Sequence, residues 1–217
     1  MPPPPPAEPQ PLPGDAAQPA PDTEASDQRD LAWMRRIQQG DSEALRELIE
    51  AHQHRVAAMA FRVGGPGTDL EEVAHETFIR VWKFAHRYQP TARFTSWMLT
   101  ITRNILLNEI RYRNRHPTVP LEPPEDAQGN SPRQEGLQDQ GAHAPDAALQ
   151  DSELQEAIDR AMQKLPEIQR TALTLRTYED LSYEEIATVL GTSVPSVKSL
   201  LFRARSDMKK MLQHYFR

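Results

Sequence analysis

The sequence predicts an all-α protein made of two small helical domains, joined by a flexible acidic linker and preceded by a disordered Pro-rich tail. Three observations carry this. Residues 182–206 read SYEEIATVLGTSVPSVKSLLFRARS, two short amphipathic helices meeting at a glycine turn, the second of them basic. Ten of the 20 prolines fall within the first 21 residues, and six more lie between Pro117 and Pro145. Between those two stretches apolar residues recur at helical spacing, broken by GGPG at residues 64–67. The expected boundaries are a tail over 1–29, a first domain over 30–115, a linker over 116–150 and a second domain over 151–217.

In the first domain a helix begins near Leu31 and ends at Gly40, and Asp41 caps a longer one reaching about Val63. Thr68 and Glu71 have the spacing of a capping box, opening a helix that carries Val73, Phe78, Val81 and Trp82. A loop follows over 86–93. The next helix, about Phe94 to Arg113, sets Trp97, Ile101, Asn104 and Asn108 near one side and gathers Arg103, Arg111, Arg113 and Arg115 toward its end. Aromatics interleaved with arginines suit unstacked bases, although Phe94 and Trp97 read equally well as core.

In the second domain Ser182 and Glu185 form an S-x-x-E capping box, and Gly191 suits the left-handed residue that stops the first short helix. Val194, Val197, Leu201, Ala204 and Met208 make one apolar face of the second. Pro195, Ser196, Ser199, Phe202, Arg203 and Ser206 point mostly outward, flanked by Lys198 and Arg205. Such a face fits the DNA major groove, where Arg and Lys bond guanine edges or phosphates. Pro195 is tolerated in a first turn, where its nitrogen has no bond to lose.

The net charge of −6 hides an uneven distribution. Residues 1–30 hold one basic and six acidic side chains, and residues 116–156 hold one and nine. Residues 31–115 hold thirteen basic against nine acidic, and residues 157–217 ten against seven. Positive folded blocks with negative connectors suggest nucleic-acid contacts on the blocks. The absence of cysteine excludes disulfides and thiol chemistry. His52 and His54 lie two apart on different helix faces and no HExxH occurs, so no metal site is expected. No apolar run approaches a membrane span and no secretory signal opens the chain, so a cytoplasmic protein is expected.

The stretch DLEEVAHETFIRVWKFAHRYQPTARFTSWMLTITRNILLNEIRYRNR resembles conserved region two of bacterial sigma factors, and the helix-turn-helix resembles their region four. Their order and separation resemble the extracytoplasmic-function group of the sigma-70 family. The resemblance implies a promoter-specificity subunit of RNA polymerase, not an enzyme in itself, with no cofactor. It implies that Glu72, Val73, Glu76, Thr77, Phe78 and Arg80 contact the clamp helices of the largest polymerase subunit, with His75 standing where the family usually has glutamine. It implies that Tyr88, Gln89, Phe94, Ser96, Trp97 and Asn104 take part in reading a melted minus-ten strand. Ser196, Lys198, Ser199 and Arg203 would read a duplex minus-thirty-five element, with Arg176 and Arg205 on phosphates. Leu200 stands where many members have arginine, and Pro195 where a small residue is common. An anti-sigma factor is the implied regulatory partner. The alternative is a stand-alone helix-turn-helix regulator that binds its operator without polymerase.

Overall fold

The structure, a computed structural model, describes residues 21–116 and 145–216. Residues 1–20 of the expected tail and 117–144 of the expected linker lie outside the described residues. Eight α-helices are described, with no strand among the described residues. They are α1 (Pro21–Ile37), α2 (Ser42–Gly64), α3 (Leu70–Phe84), α4 (Phe94–Arg115), α5 (Pro145–Lys164), α6 (Glu167–Thr177), α7 (Tyr183–Leu190) and α8 (Val194–Leu212). Short 3₁₀ turns follow α3 at Ala85–Arg87 and α8 at Gln213–Phe216.

Helices α1 to α4 form the first bundle. Asp41 caps α2 by accepting from the Glu43 and Ala44 amides, and Arg36 ties the same carboxylate back to α1 at 2.9 Å. The first helix starts ten residues earlier than the apolar pattern shows. Proline suits a helix's first turn, and acidic side chains complement the positive end of its dipole, so a polar stretch can extend it without an apolar stripe. That extension has partners: Asp27 pairs with Arg93 at 2.8 Å, and Asp30 is fully buried with its Oδ1 2.9 Å from His52 Nε2. The His52 ring also leans on Phe94 with centroids 5.3 Å apart. His52 is therefore part of the packing, and no group of three metal-capable side chains occurs among the described residues.

At the start of α3 the cap is Asp69, whose Oδ1 accepts from the Glu72 amide at 3.0 Å. This displaces the expected Thr68 and Glu71 box by one residue. Aspartate is the stronger cap beside threonine, and only one residue can occupy the position. The Thr68 side chain instead crowds Gly64, leaving no room there for a Cβ.

Helices α5 to α8 form the second bundle, in which α8 packs on α5, α6 and α7. The two bundles are not separate bodies. Helix α7 lies on α4, and α5 and α6 lie on α2, so one continuous apolar cluster runs from Met34, Leu48 and Leu99 through Leu175, Ile186 and Leu201. Gly65, at φ 73° past the end of α2, admits the Gln163 side chain of α5 where a Cβ would collide. Gln163 donates to the Arg62 carbonyl at 3.1 Å, and the Arg62 guanidinium sits 3.8 Å over the Tyr178 ring.

Glu179 is the charged residue buried in this seam. Its side chain is 3% exposed, and its Oε2 lies 2.8 Å from Arg55 Nε, although it accepts no well-aligned hydrogen bond. Burial pushes its carboxyl up to about 7, against the lowering pull of Arg55 and Arg62. Because the folded protein holds this proton more tightly than the unfolded chain, the linked stability is complete below the ordinary value of 4.5 and is lost as pH rises through about 7. Relative to Glu179→Gln, the wild type should therefore lose on the order of 3 kcal/mol of stability across that window. Urea melts of both proteins at several pH values would check this, and a difference independent of pH would contradict it.

Candidate nucleic-acid interface

The helix-turn-helix forms as its residues dictate. Ser182 Oγ accepts from the Glu185 amide at 3.2 Å, and Glu185 Oε2 accepts from the Ser182 amide at 2.8 Å, which completes the capping box of α7. Gly191 takes the left-handed conformation at φ 64° and ends the helix. Ser193 then caps α8, with Pro195 in its first turn. Val197, Leu201 and Ala204 are buried, with Val194 and Met208 packed at the margin.

The opposite side of α8 faces solvent. Lys198, Ser199, Arg203 and Arg205 are exposed, Ser196 is half-buried, and Phe202 is 70% exposed. Among the described residues none of Lys198, Ser199, Arg203 and Arg205 is tied to an acidic partner; Ser199 donates to the Pro195 carbonyl and Lys198 leans toward the Tyr183 ring at 5.8 Å. Arg176 is placed differently. It is 14% exposed, donates to the Leu181 carbonyl at 3.0 Å and lies 3.6 Å from Asp180, so it braces the turn that leads into α7. Leu200 is half-buried and packs against the core.

In the first bundle the residues named for the minus-ten strand divide by depth. Tyr88, Phe94 and Ser96 are buried, Trp97 is half-buried, and Gln89 and Asn104 are exposed. Tyr88, Phe94 and Trp97 form an aromatic cluster, with Tyr88 5.3 Å from Trp97 and 6.1 Å from Phe94. Burial, with Asp30 and Asp27 nearby, raises the Tyr88 phenol, which stays a neutral donor to the Ala92 carbonyl at 3.2 Å. The loop is pinned by Gln38, in the turn just after α1, whose amide donates to the Ala85 and Tyr88 carbonyls at 3.0 and 3.1 Å. Sequence reading missed Gln38, because a lone glutamine near a helix end carries no pattern.

On α3, Val73, Thr77 and Phe78 are buried; the Thr77 hydroxyl reaches Thr102 on α4 at 3.4 Å. These three named contacts therefore lie in the bundle core in this structure. The outer face offers Glu72, His75 and the Glu76–Arg80 pair, closed at 2.6 Å, and beyond them the partly exposed rings of Trp82 and Phe84.

A helical protein with a basic helix-turn-helix and a second bundle bearing a pinned aromatic loop belongs to the DNA-binding transcription proteins as a class. Family models narrow this: residues 48–116 match sigma-70 region 2 and residues 155–208 match sigma-70 region 4. The RNA polymerase sigma-H factor of Pseudomonas aeruginosa is 33% identical over 193 residues, covering 88% of this chain and 97% of that protein. The ECF RNA polymerase sigma-E factor of Escherichia coli is 30% identical over 192 residues, covering 87% and 96%. Among solved structures, CnrH in complex with the cytosolic domain of CnrY aligns with a TM-score of 0.61 at 22% identity, over 86% of this chain and 98% of that one. The sigma factor RpoE from Bartonella quintana, in complex with the anti-sigma factor NepR, aligns with a TM-score of 0.58 at 20% identity, over 77% and 96%. The chain belongs to the sigma-70 family, in its extracytoplasmic-function group, and directs transcription initiation by RNA polymerase. No helix among the described residues is long and apolar enough to cross a membrane.

The capping box gives a direct test of how the reading unit is held. Ser182→Ala removes the hydroxyl that satisfies the Glu185 amide and should cost about 1 kcal/mol, seen as a lower urea midpoint, with Ser182→Thr recovering most of it. Equal melts for all three proteins would contradict the assignment.

Proposed function

We propose that this sigma factor reads promoters in two ways, the minus-thirty-five element as duplex through α8 and the minus-ten element as a melted strand through the 86–93 loop and α4. The observation that carries the reading is the outer face of α8, where Lys198, Ser199, Phe202, Arg203 and Arg205 stand exposed on a helix whose other side is locked into the core. Arg203 and Lys198 take guanine edges or phosphates, and the Phe202 ring suits the methyl group of thymine. Arg205 remains a phosphate contact by its exposure. Arg176 acts by holding the entry to α7.

At the minus-ten element Gln89, Trp97 and Asn104 are the groups offered outward, while Tyr88 and Phe94 form the wall beneath them and Ser96 lies at the turn. Stacking on an aromatic is worth about 1–3 kcal/mol per base, comparable with the few kcal/mol needed to flip one out, so captured bases offset local melting. The chain needs no hydrolytic chemistry for this and acts as a specificity subunit rather than an enzyme. Its polymerase contact is the exposed face of α3, through Glu72, Glu76 and Arg80, against the clamp helices of the largest subunit. An anti-sigma factor is its regulatory partner. Supporting that partner, RpoE of Bartonella quintana is solved with an anti-sigma factor bound.

In-vitro transcription with bacterial core polymerase on a pool of promoter-length DNA should give protein-dependent starts that share two upstream elements at fixed spacing. Absence of such starts, with sequence-specific binding by the chain alone, would favour a stand-alone regulator instead. Asn104→Ala should lower open-complex formation more than polymerase binding, as read by permanganate footprinting beside a polymerase pull-down; equal losses would sink its assignment to a base. Arg203→Ala should weaken binding to the duplex element by about 1–3 kcal/mol and relax sequence preference at one position, measured by competition with single-base variants.

A further inference from the structure

A polar couple lies inside the first bundle, directly beneath the turn assigned to the melted strand. Asp30 of α1 is 0% exposed and His52 of α2 is 3% exposed, with Oδ1 of the one 2.9 Å from Nε2 of the other. With the carboxylate ionised, Nε2 carries the proton and donates it. Among the described residues Asp30 Oδ2 has no hydrogen-bond partner. A half-satisfied carboxylate in an apolar core costs more than well-packed apolar side chains of similar volume, so stability alone does not account for the couple. Geometry does. The hydrogen bond fixes the plane of the imidazole, and that ring lies against Phe94, the first residue of α4, with centroids 5.3 Å apart. Phe94 in turn meets Tyr88 and Trp97, each at 6.1 Å. Burial first, and then the charge of Asp30, raise the Tyr88 phenol, so the carboxylate stands close to the same aromatic wall.

The outer side of this turn is held by other groups. Arg93 pairs with Asp27 at 2.8 Å and lies 3.6 Å from Glu185, and the Ser96 hydroxyl donates to Glu185 at 3.0 Å. Gln38 holds the preceding loop through its carbonyls. His52 supports the wall from within. We propose that Asp30 and His52 are positioning residues for base capture: Asp30 fixes the His52 ring, His52 seats Phe94, and Phe94 sets the angle at which Trp97 meets an unstacked base. The inference rests on the melted-strand reading of the minus-ten element proposed above. Both residues are buried and neither touches DNA. Trp97 is half-buried, so its ring is reachable by a base, and stacking depends on the offset and tilt of the two rings.

Three variants separate position from stability. Asp30→Leu with His52→Phe replaces the couple by apolar side chains and should leave the urea midpoint at or above that of the wild type. The holoenzyme is then followed on a promoter taken from the transcription experiment above, with 2-aminopurine at each minus-ten position in turn. The double variant should bind polymerase as the wild type does, yet open the promoter about tenfold more slowly, with a weaker 2-aminopurine signal. His52→Gln keeps an amide donor for Asp30 but loses the ring, and should slow opening in the same way. Asp30→Asn keeps an acceptor for Nε2 and the ring, and should open at close to the wild-type rate. The contrast between these two single variants decides the question whatever the melt of the double variant. Wild-type opening by His52→Gln would overturn the proposal, as would equal slowing by both single variants. Wild-type holoenzyme that makes protein-dependent starts without a 2-aminopurine signal at any position removes the melted-strand reading itself, whereas a signal that every variant shares removes only the positioning.

Discussion

One carboxylate does two jobs on which the arrangement of the molecule depends. Glu185 satisfies the orphan amide at the start of α7, and without that bond an eight-residue helix has little to hold its first turn. Its other oxygen fixes where α7 sits on α4. The helix-turn-helix and the seam between the bundles are thus built from the same side chain. The geometry of the reading head cannot be altered at this point without altering how the two bundles meet.

Polar contacts of this kind position the seam more than they stabilise it. Partly exposed ion pairs contribute about 0–1 kcal/mol each, and burying Glu179 against Arg55 costs desolvation that a single, imperfectly aligned partner does not fully repay. The apolar surface shared by α2, α4, α6 and α7 supplies the attraction, at roughly 25 cal/mol per Å² removed from water. The charges decide the register, because a slipped seam would leave Glu179 buried without Arg55 and Arg93 facing Asp27 alone. A contact of this composition holds by area and is selected by charge.

Much of the fold was legible in the sequence where a local rule had a single outcome. Ser182, Glu185 and Gly191 specify a start and a stop, and the stripe Val197, Leu201 and Ala204 specifies which face goes inward. Legibility failed where two neighbours obeyed the same rule, as at Thr68 and Asp69, and where a helix is stabilised by distant partners, as in the first ten residues of α1. The docking of the two bundles left no local signal at all. Gly65 falls in the GGPG break, and Gln163 and Glu179 belong to no motif, so only their meeting gives them meaning. At the candidate site, residue type was legible but depth was not. Periodicity placed Val73 and Phe78 on an apolar stripe, but the resemblance set both, with Thr77, among the contacts beside Glu72, Glu76 and Arg80; the first three fill the core and the last three face out.

The departures from the family pattern take on a physical reading once depth is known. Leu200 stands where the resemblance implies an arginine, yet it lies at the edge of the buried stripe and packs against the core, so the position offers apolar contact beneath the groove in place of a cation beside it. Its loss of charge leaves Lys198, Arg203 and Arg205 as the cations on that face, and moves weight onto Phe202, the most exposed large apolar side chain described. Apolar contact with a thymine methyl discriminates bases without adding to the salt-dependent attraction that phosphate contacts supply. On the duplex reading proposed above for α8, a helix altered in this way depends less on non-specific attraction and more on shape.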